Sequence, residues 1–222
     1  MLNLRDNWAE LDADLDTSGA FRHAVRPSCG MGRSFASSGL SPDALIQTDT
    51  GERPARNLLA GDLVMTRDNG LQPLLWTGRS RDVSGDGPSP VRFKARHGEG
   101  AMLLAPGHLA LLSHAKSDLL FGVDEVLARA RDLVGLPGVT PAPKSAPAWV
   151  HLLFGAHELV RVAGIWAESL SPDMNAIEQS HPELADQIFE VAPRLRYAQG
   201  RAAYVYTRTV LDHGEVQLLI SP

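Results

Sequence analysis

Three histidines stand in apolar surroundings where a proton carrier could work: His108 after Leu104-Ala-Pro-Gly, His151 in Val150-His-Leu-Leu-Phe, and His157 in Gly-Ala-His157-Glu-Leu-Val. Imidazole gives and takes a proton near neutrality, with an ordinary pKa of about 6.5, so such residues suit general acid–base chemistry. A histidine on an apolar strand is also commonly a hydrogen-bonded core residue, and His151 taken alone fits that reading. Convergence of all three would make a zinc site or a metal-dependent hydrolase, but no His-Glu-x-x-His pattern accompanies them. Gly-x-Ser-x-Gly is absent as well, which leaves Glu168-Ser169 without the setting of a serine hydrolase. The sole thiol, Cys29, excludes an internal disulfide and a cysteine-built zinc site. It lies in the Gly/Ser-rich run Pro27-Ser-Cys-Gly-Met-Gly-Arg-Ser with no strand pattern behind it, so it reads as a spare thiol.

Composition narrows the partners. The chain has 222 residues, 44% hydrophobic content and a formal charge of -5, enough for one core with an extension. Lys94, Lys116 and Lys144 are the only lysines and the arginines are dispersed, so no basic stripe exists to track a nucleic acid. No apolar run approaches the roughly 20 residues of a membrane span. The start, Met1-Leu-Asn-Leu-Arg-Asp-Asn-Trp, lacks an apolar signal core, so the expected location is cytoplasmic, with export lacking a visible signal left open.

The elements that would position the histidines are mostly short strands. Residues 1–38 mix acidic residues with Gly and Ser and read as an N-terminal arm. From Ala44 to Trp76, Leu/Ile/Val-rich runs broken by Asp49-Thr50-Gly51, Ala60-Gly61-Asp62 and Asp68-Asn69-Gly70 predict an all-β unit. Asn69-Gly70 suits a tight hairpin turn, and Asp62 reads as a turn brace. Val91-Arg-Phe-Lys alternates as a half-buried strand does, and the apolar run Ala101 to Leu112 is bent at Pro106-Gly107. Phe121 to Val134 fits either one helix or two short strands. Residues 149–154 and 157–162 predict a strand pair turning at Gly155-Ala156. Helical spacing of Leu184, Ile188 and Val191, with a cap at Ser180 or His181, predicts a helix, and a second is expected between Ala202 and Leu219.

Several blocks in order resemble the bacterial hedgehog/intein (Hint) domains. They are Gly39-Leu-Ser-Pro-Asp-Ala-Leu-Ile-Gln-Thr, Leu59-Ala-Gly61-Asp62-Leu-Val, Gly70 to Arg79, Pro90-Val-Arg-Phe, Leu104-Ala-Pro-Gly-His108, Leu120-Phe-Gly with Leu133-Val134, Val150 to Val160 and Gly164-Ile-Trp-Ala-Glu168-Ser169. The resemblance implies a mainly β fold: a Hint-like twisted β domain over 39–172, with a helical C-terminal extension over 173–222. In an active Hint domain the first Cys attacks the preceding carbonyl and converts a peptide bond to a thioester, assisted by a thiolate, an oxyanion donor and an acid for the leaving nitrogen. The family's Thr/Ser-x-x-His block belongs to that machinery.

By this resemblance His108 matches the family histidine, Ala105 stands at the hydroxyl position and Gly39 at the nucleophile position. His151 and His157 match a late strand block close to the scissile bond. Ser38 is the alternative nucleophile, although a one-residue slip in a strand points a side chain to the other face and Ser41-Pro42 favours the Gly39 register. A terminal His-Asn with an acceptor is not found after Gly164, so splicing is not expected. The expectation is a retired self-cleaving module that binds an unidentified protein or small molecule, with no cofactor. Its rival is an autoprocessing domain acting on its own polypeptide through Ser38 and His108.

Overall fold

The computed structural model describes residues 37–81, 88–94, 101–144, 148–202 and 204–221. Cys29 and all but the last two residues of the N-terminal arm lie outside the described residues. Fourteen strands are present among those described. They are β1 (Leu45–Thr48), β2 (Gly51–Pro54), β3 (Leu63–Thr66), β4 (Gly70–Pro73), β5 (Trp76–Arg81), β6 (Val91–Lys94), β7 (Ala101–Leu104), β8 (Leu109–Ser113), β9 (Glu125–Arg129), β10 (Val139–Pro141), β11 (Ala148–Leu153), β12 (Leu159–Val162), β13 (Ile165–Glu168) and β14 (Thr209–Val210).

The larger sheet runs β14-β9-β8-β13-β12-β1-β3-β4, with β2 paired on β1. A second unit has the order β10-β6-β7, and β11 pairs with β5. Alternation sets the simple strands. Val91 and Phe93 of β6 are buried while Arg92 and Lys94 are exposed, which gives a period of two with one face on the core. In β8 and β11 the alternation vanishes because both faces are covered, and the strands read as continuous apolar runs. The β3–β4 hairpin turns at Asp68-Asn69-Gly70 as the sequence predicts, with Thr66 opposite Gly70. Asp62 braces the preceding turn: it accepts the Leu59 N–H at 2.8 Å and pairs with Arg53 at 2.8 Å. Burial would raise its pKa, but these donors outweigh it and hold the carboxyl below its ordinary value.

Two local expectations need correction. The strands β11 and β12 do not pair with each other. β11 takes β5 as its partner, from His151 opposite Gly78 to Leu153 opposite Trp76, whereas β12 pairs with β13, β1 and β3. The turn at 154–158 therefore carries the chain from one sheet to the other. The ambiguous stretch Phe121 to Val134 resolves into β9 followed by a 3-10 turn over Ala130–Leu133. Val126, Leu127 and Ala128 are all buried there, so neither helical nor strand periodicity marks it.

Helices follow the strands. A short α1 (Ser117–Phe121) precedes β9, and the tail holds α2 (Met174–Ser180), α3 (Pro182–Val191), α4 (Ala198–Ala202) and α5 (His213–Ile220). The helix expected over 181–191 is α3, with Pro182 at its first turn, where the missing N–H costs nothing. Between 202 and 219 the chain forms β14 and then α5, whose start is closed by a capping box between Asp212 and Glu215. Met174, Ile177, Ala185, Ile188, Phe189 and Leu195 pack around Trp76 and Leu153, so the tail is seated on the β body. Leu211, Val216 and Leu219 enter the main core. No helix among the described residues is long and apolar enough to cross a membrane.

Candidate active site

The site forms where the chain enters the β body. Leu40 bridges Leu104 of β7 and Val150 of β11, exchanging N–H and carbonyl bonds with Val150 at 3.0 and 2.8 Å. This threads residues 38–41 between two strands and presents them to the bend at 105–108. Gly39 carbonyl accepts the Ala105 N–H at 3.0 Å, and Gly39 N–H donates to His108 Nδ1 at 3.1 Å. The bend at Pro106-Gly107 thus delivers His108 to the backbone of residue 39.

Gly39 itself has no room for a side chain. Its φ is +126°, and a Cβ there would lie 2.6 Å from Trp149 Cβ and 3.2 Å from His151 Cε1. That same φ breaks strand alternation just where the one-residue register argument was applied. Ser38 consequently turns toward His108, with its Oγ 3.0 Å from Nδ1. Since Nδ1 accepts the Gly39 N–H it carries no proton in this arrangement, and the single Ser38 hydroxyl proton has two acceptors in reach, His108 Nδ1 and Glu168 Oε1. The same hydroxyl lies 3.3 Å from Glu168 Oε1. Behind Ser38, the Ser37 carbonyl accepts the Gly107 N–H at 2.8 Å.

The sequence reading sets Glu168-Ser169 aside for want of a hydrolase motif, yet the structure brings Glu168, at the end of β13, beside Ser38 and His108. Its carboxylate is 2% exposed, accepts the Leu109 N–H at 2.9 Å, and lies 3.5 Å from His108 Nδ1 and 3.9 Å from His157 Nε2. A carboxylate closing the buried strand Ile-Trp-Ala-Glu168 is itself the signal, because burying such a group is costly unless donors surround it. His157, on the turn between β11 and β12, is fully buried and accepts the Thr207 N–H at 3.4 Å through Nδ1.

His151 faces Gly39 from β11. Its Nε2 is 2.8 Å from Ser80 Oγ inside the body. Burial pushes its pKa down to about 3; the charge of His108 adds to the shift and Glu168 opposes it. It is neutral at pH 7 and hydrogen-bonds Ser80 beside Gly39. Ala105 is fully buried and contributes its backbone only. Among the described residues, no three His, Cys, Asp or Glu side chains form a group that could hold a metal ion.

The sequence model of the Hint domain matches residues 38–174. The chain belongs to the Hint-domain family. Solved structures similar to this Hint domain include the gp41-1 intein, 12% identical with a TM-score of 0.36 over 59% of this chain and 97% of that one. A splice inactive variant of the AceL NrdHF class 3 split intein is 12% identical, with a TM-score of 0.40 over 59% of this chain and 95% of that one. The MchDnaB-1 intein is 13% identical, with a TM-score of 0.35 over 59% of this chain and 99% of that one. A search of curated protein sequences returns no match.

Proposed function

We propose that this Hint domain acts on its own polypeptide, cleaving ahead of Ser38 by an N-to-O acyl shift. The observation that carries the reading is the placement of the Ser38 hydroxyl 3.0 Å from an unprotonated His108 Nδ1. The carbonyl it would attack, that of Ser37, is already held by a backbone donor at 2.8 Å. Ser38 Oγ forms a bond to the Ser37 carbonyl carbon while its proton passes to His108. The oxyanion develops on the Ser37 oxygen, where the Gly107 N–H is aimed. The C–N bond to Ser38 then breaks as His108 returns the proton to the departing nitrogen, leaving an ester and a free amine. Water hydrolyses the ester to a Ser37 carboxylate and restores the Ser38 hydroxyl. Glu168, 3.5 Å from His108 Nδ1, balances the charge that forms on His108.

A second reading keeps the fold without the chemistry. Gly39 and Ala105 supply neither nucleophile nor hydroxyl in the family register, which supports a retired site serving as a binding or scaffold module. Intact mass of the purified full-length chain, with and without hydroxylamine, separates the two. A product beginning at Ser38 that is lost in Ser38→Ala supports processing, and unchanged mass under hydroxylamine leaves the binding module.

A further inference from the structure

The C-terminal segment 205–210 lies beyond the span matched by the Hint-domain family, yet it reaches into the site. The Thr207 N–H donates to His157 Nδ1 at 3.4 Å, and the Tyr206 ring meets the imidazole edge-on, with centroids 5.1 Å apart at 89°. An accepting Nδ1 leaves the proton of neutral imidazole on Nε2. That nitrogen lies 3.9 Å from Glu168 Oε2, while Glu168 Oε1 lies 3.3 Å from Ser38 Oγ. Thr207 thus hydrogen-bonds one side of His157, and the other side faces Glu168 across a gap too long for a hydrogen bond.

Three further contacts fix the segment. β14 pairs in parallel with β9, Thr209 opposite Val126 and Val210 opposite Leu127. Arg208 reaches Asp68 at 2.7 Å and Glu125 at 2.8 Å. Tyr206 and Val210 pack against the buried cluster of Leu109, Leu111, Leu127 and Leu159. Leu109 follows His108 directly and its N–H holds Glu168, so the anchored segment and the site share a wall.

We infer that residues 206–207 are positioning residues for the self-cleaving site: they hold His157 in the Nε2-protonated tautomer, so that the Glu168 carboxylate beside Ser38 faces an N–H and not a lone pair. This rests on the processing reading for its effect on rate, but the tautomer stands independently of it. Among the described residues the Thr207 N–H is the hydrogen-bond donor to His157, and the turn at 154–158 is a connection between sheets, so this donor from the tail fixes the ring.

The test uses the full chain. Imidazole nitrogen NMR of the non-processing Ser38→Ala protein is expected to show His157 as the Nε2-protonated tautomer, and adding Thr207→Pro, which deletes the donating N–H, abolishes that preference. In the chain with Ser38 intact, Tyr206→Ala and Thr207→Pro are expected to slow release of the N-terminal fragment roughly tenfold to a hundredfold. Tyr206→Phe, which keeps the ring, restores the rate. An unchanged His157 signature in both Thr207→Pro and Tyr206→Ala overturns the inference. If the parent chain never cleaves, the processing reading falls, while the tautomer measurement still decides this one.

Discussion

Gly107 and Ser37 approach so closely that a Cβ on residue 107 would lie 2.8 Å from the Ser37 carbonyl oxygen, the same atom the Gly107 N–H binds at 2.8 Å. Glycine is needed here for proximity, since any side chain would push away the carbonyl that takes up charge in the proposed acyl shift. Gly107→Ala is therefore expected to cut the cleavage rate by about a hundredfold or more, the usual cost of losing one oxyanion donor. A time course of intact mass checks it. A rate equal to that of the parent chain would remove Gly107 from the mechanism.

The nucleophile position is tested by moving the thiol. At residue 39 a cysteine meets both a φ of +126° and Trp149 Cβ at 2.6 Å, so Gly39→Cys is expected to destabilise the fold by about 1–3 kcal/mol without gaining cleavage. Ser38→Cys places sulfur where the hydroxyl now faces His108 and is expected to cleave faster, through a thioester that an added thiol captures. Thermal melts with thiol-induced mass changes distinguish them. Thiol-sensitive cleavage in Gly39→Cys and none in Ser38→Cys would reverse the assignment.

The contrast between residues 38 and 39 marks the limit of what the sequence makes legible. Strands with one covered face, such as Val91–Lys94, and the Asn69-Gly70 hairpin are readable because their signals are local. The pairing of β11 with β5 joins segments about seventy residues apart, and nothing in residues 148–162 announces it. Ser38 is legible only as the alternative to Gly39, because alternation assumes extended φ throughout and Gly39 has φ +126°. Glu168 and Thr207 reach the site only through the fold, from 130 residues past Ser38 in the one case and from the tail in the other.

The anchoring of the tail has its own signature. Arg208 is largely buried; burial alone would lower its pKa, but Asp68 and Glu125 reverse the effect and raise it. Truncating it leaves Asp68 without this partner, while Glu125 keeps Arg67 at 3.1 Å. Arg208→Ala is expected to cost about 1–3 kcal/mol. Its effect should concentrate at β14 and the residue after it, where the Leu211 N–H bonded to Leu127 at 2.8 Å exchanges faster in deuterium oxide. Uniform acceleration across β1 and β3 as well would show that Arg208 supports the whole fold.

His151 predicts an acid-side loss of stability. Unfolded, it titrates near the ordinary 6.5; folded, burial holds it neutral down to about 3. The unfolded chain therefore binds one more proton between those values, and stability falls as pH drops from about 6.5 toward 3. The full window corresponds to a loss on the order of 5 kcal/mol as an upper figure. Above pH 7 both states are neutral at this residue and the dependence on it vanishes. His151→Gln keeps a polar group near Ser80 without a titrating ring, so urea midpoints at pH 7, 5.5 and 4 are expected to slope less in the variant than in the parent. Equal slopes would mean that protonated His151 finds a counter-charge in the fold, and Glu168 is the carboxylate that already opposes its shift.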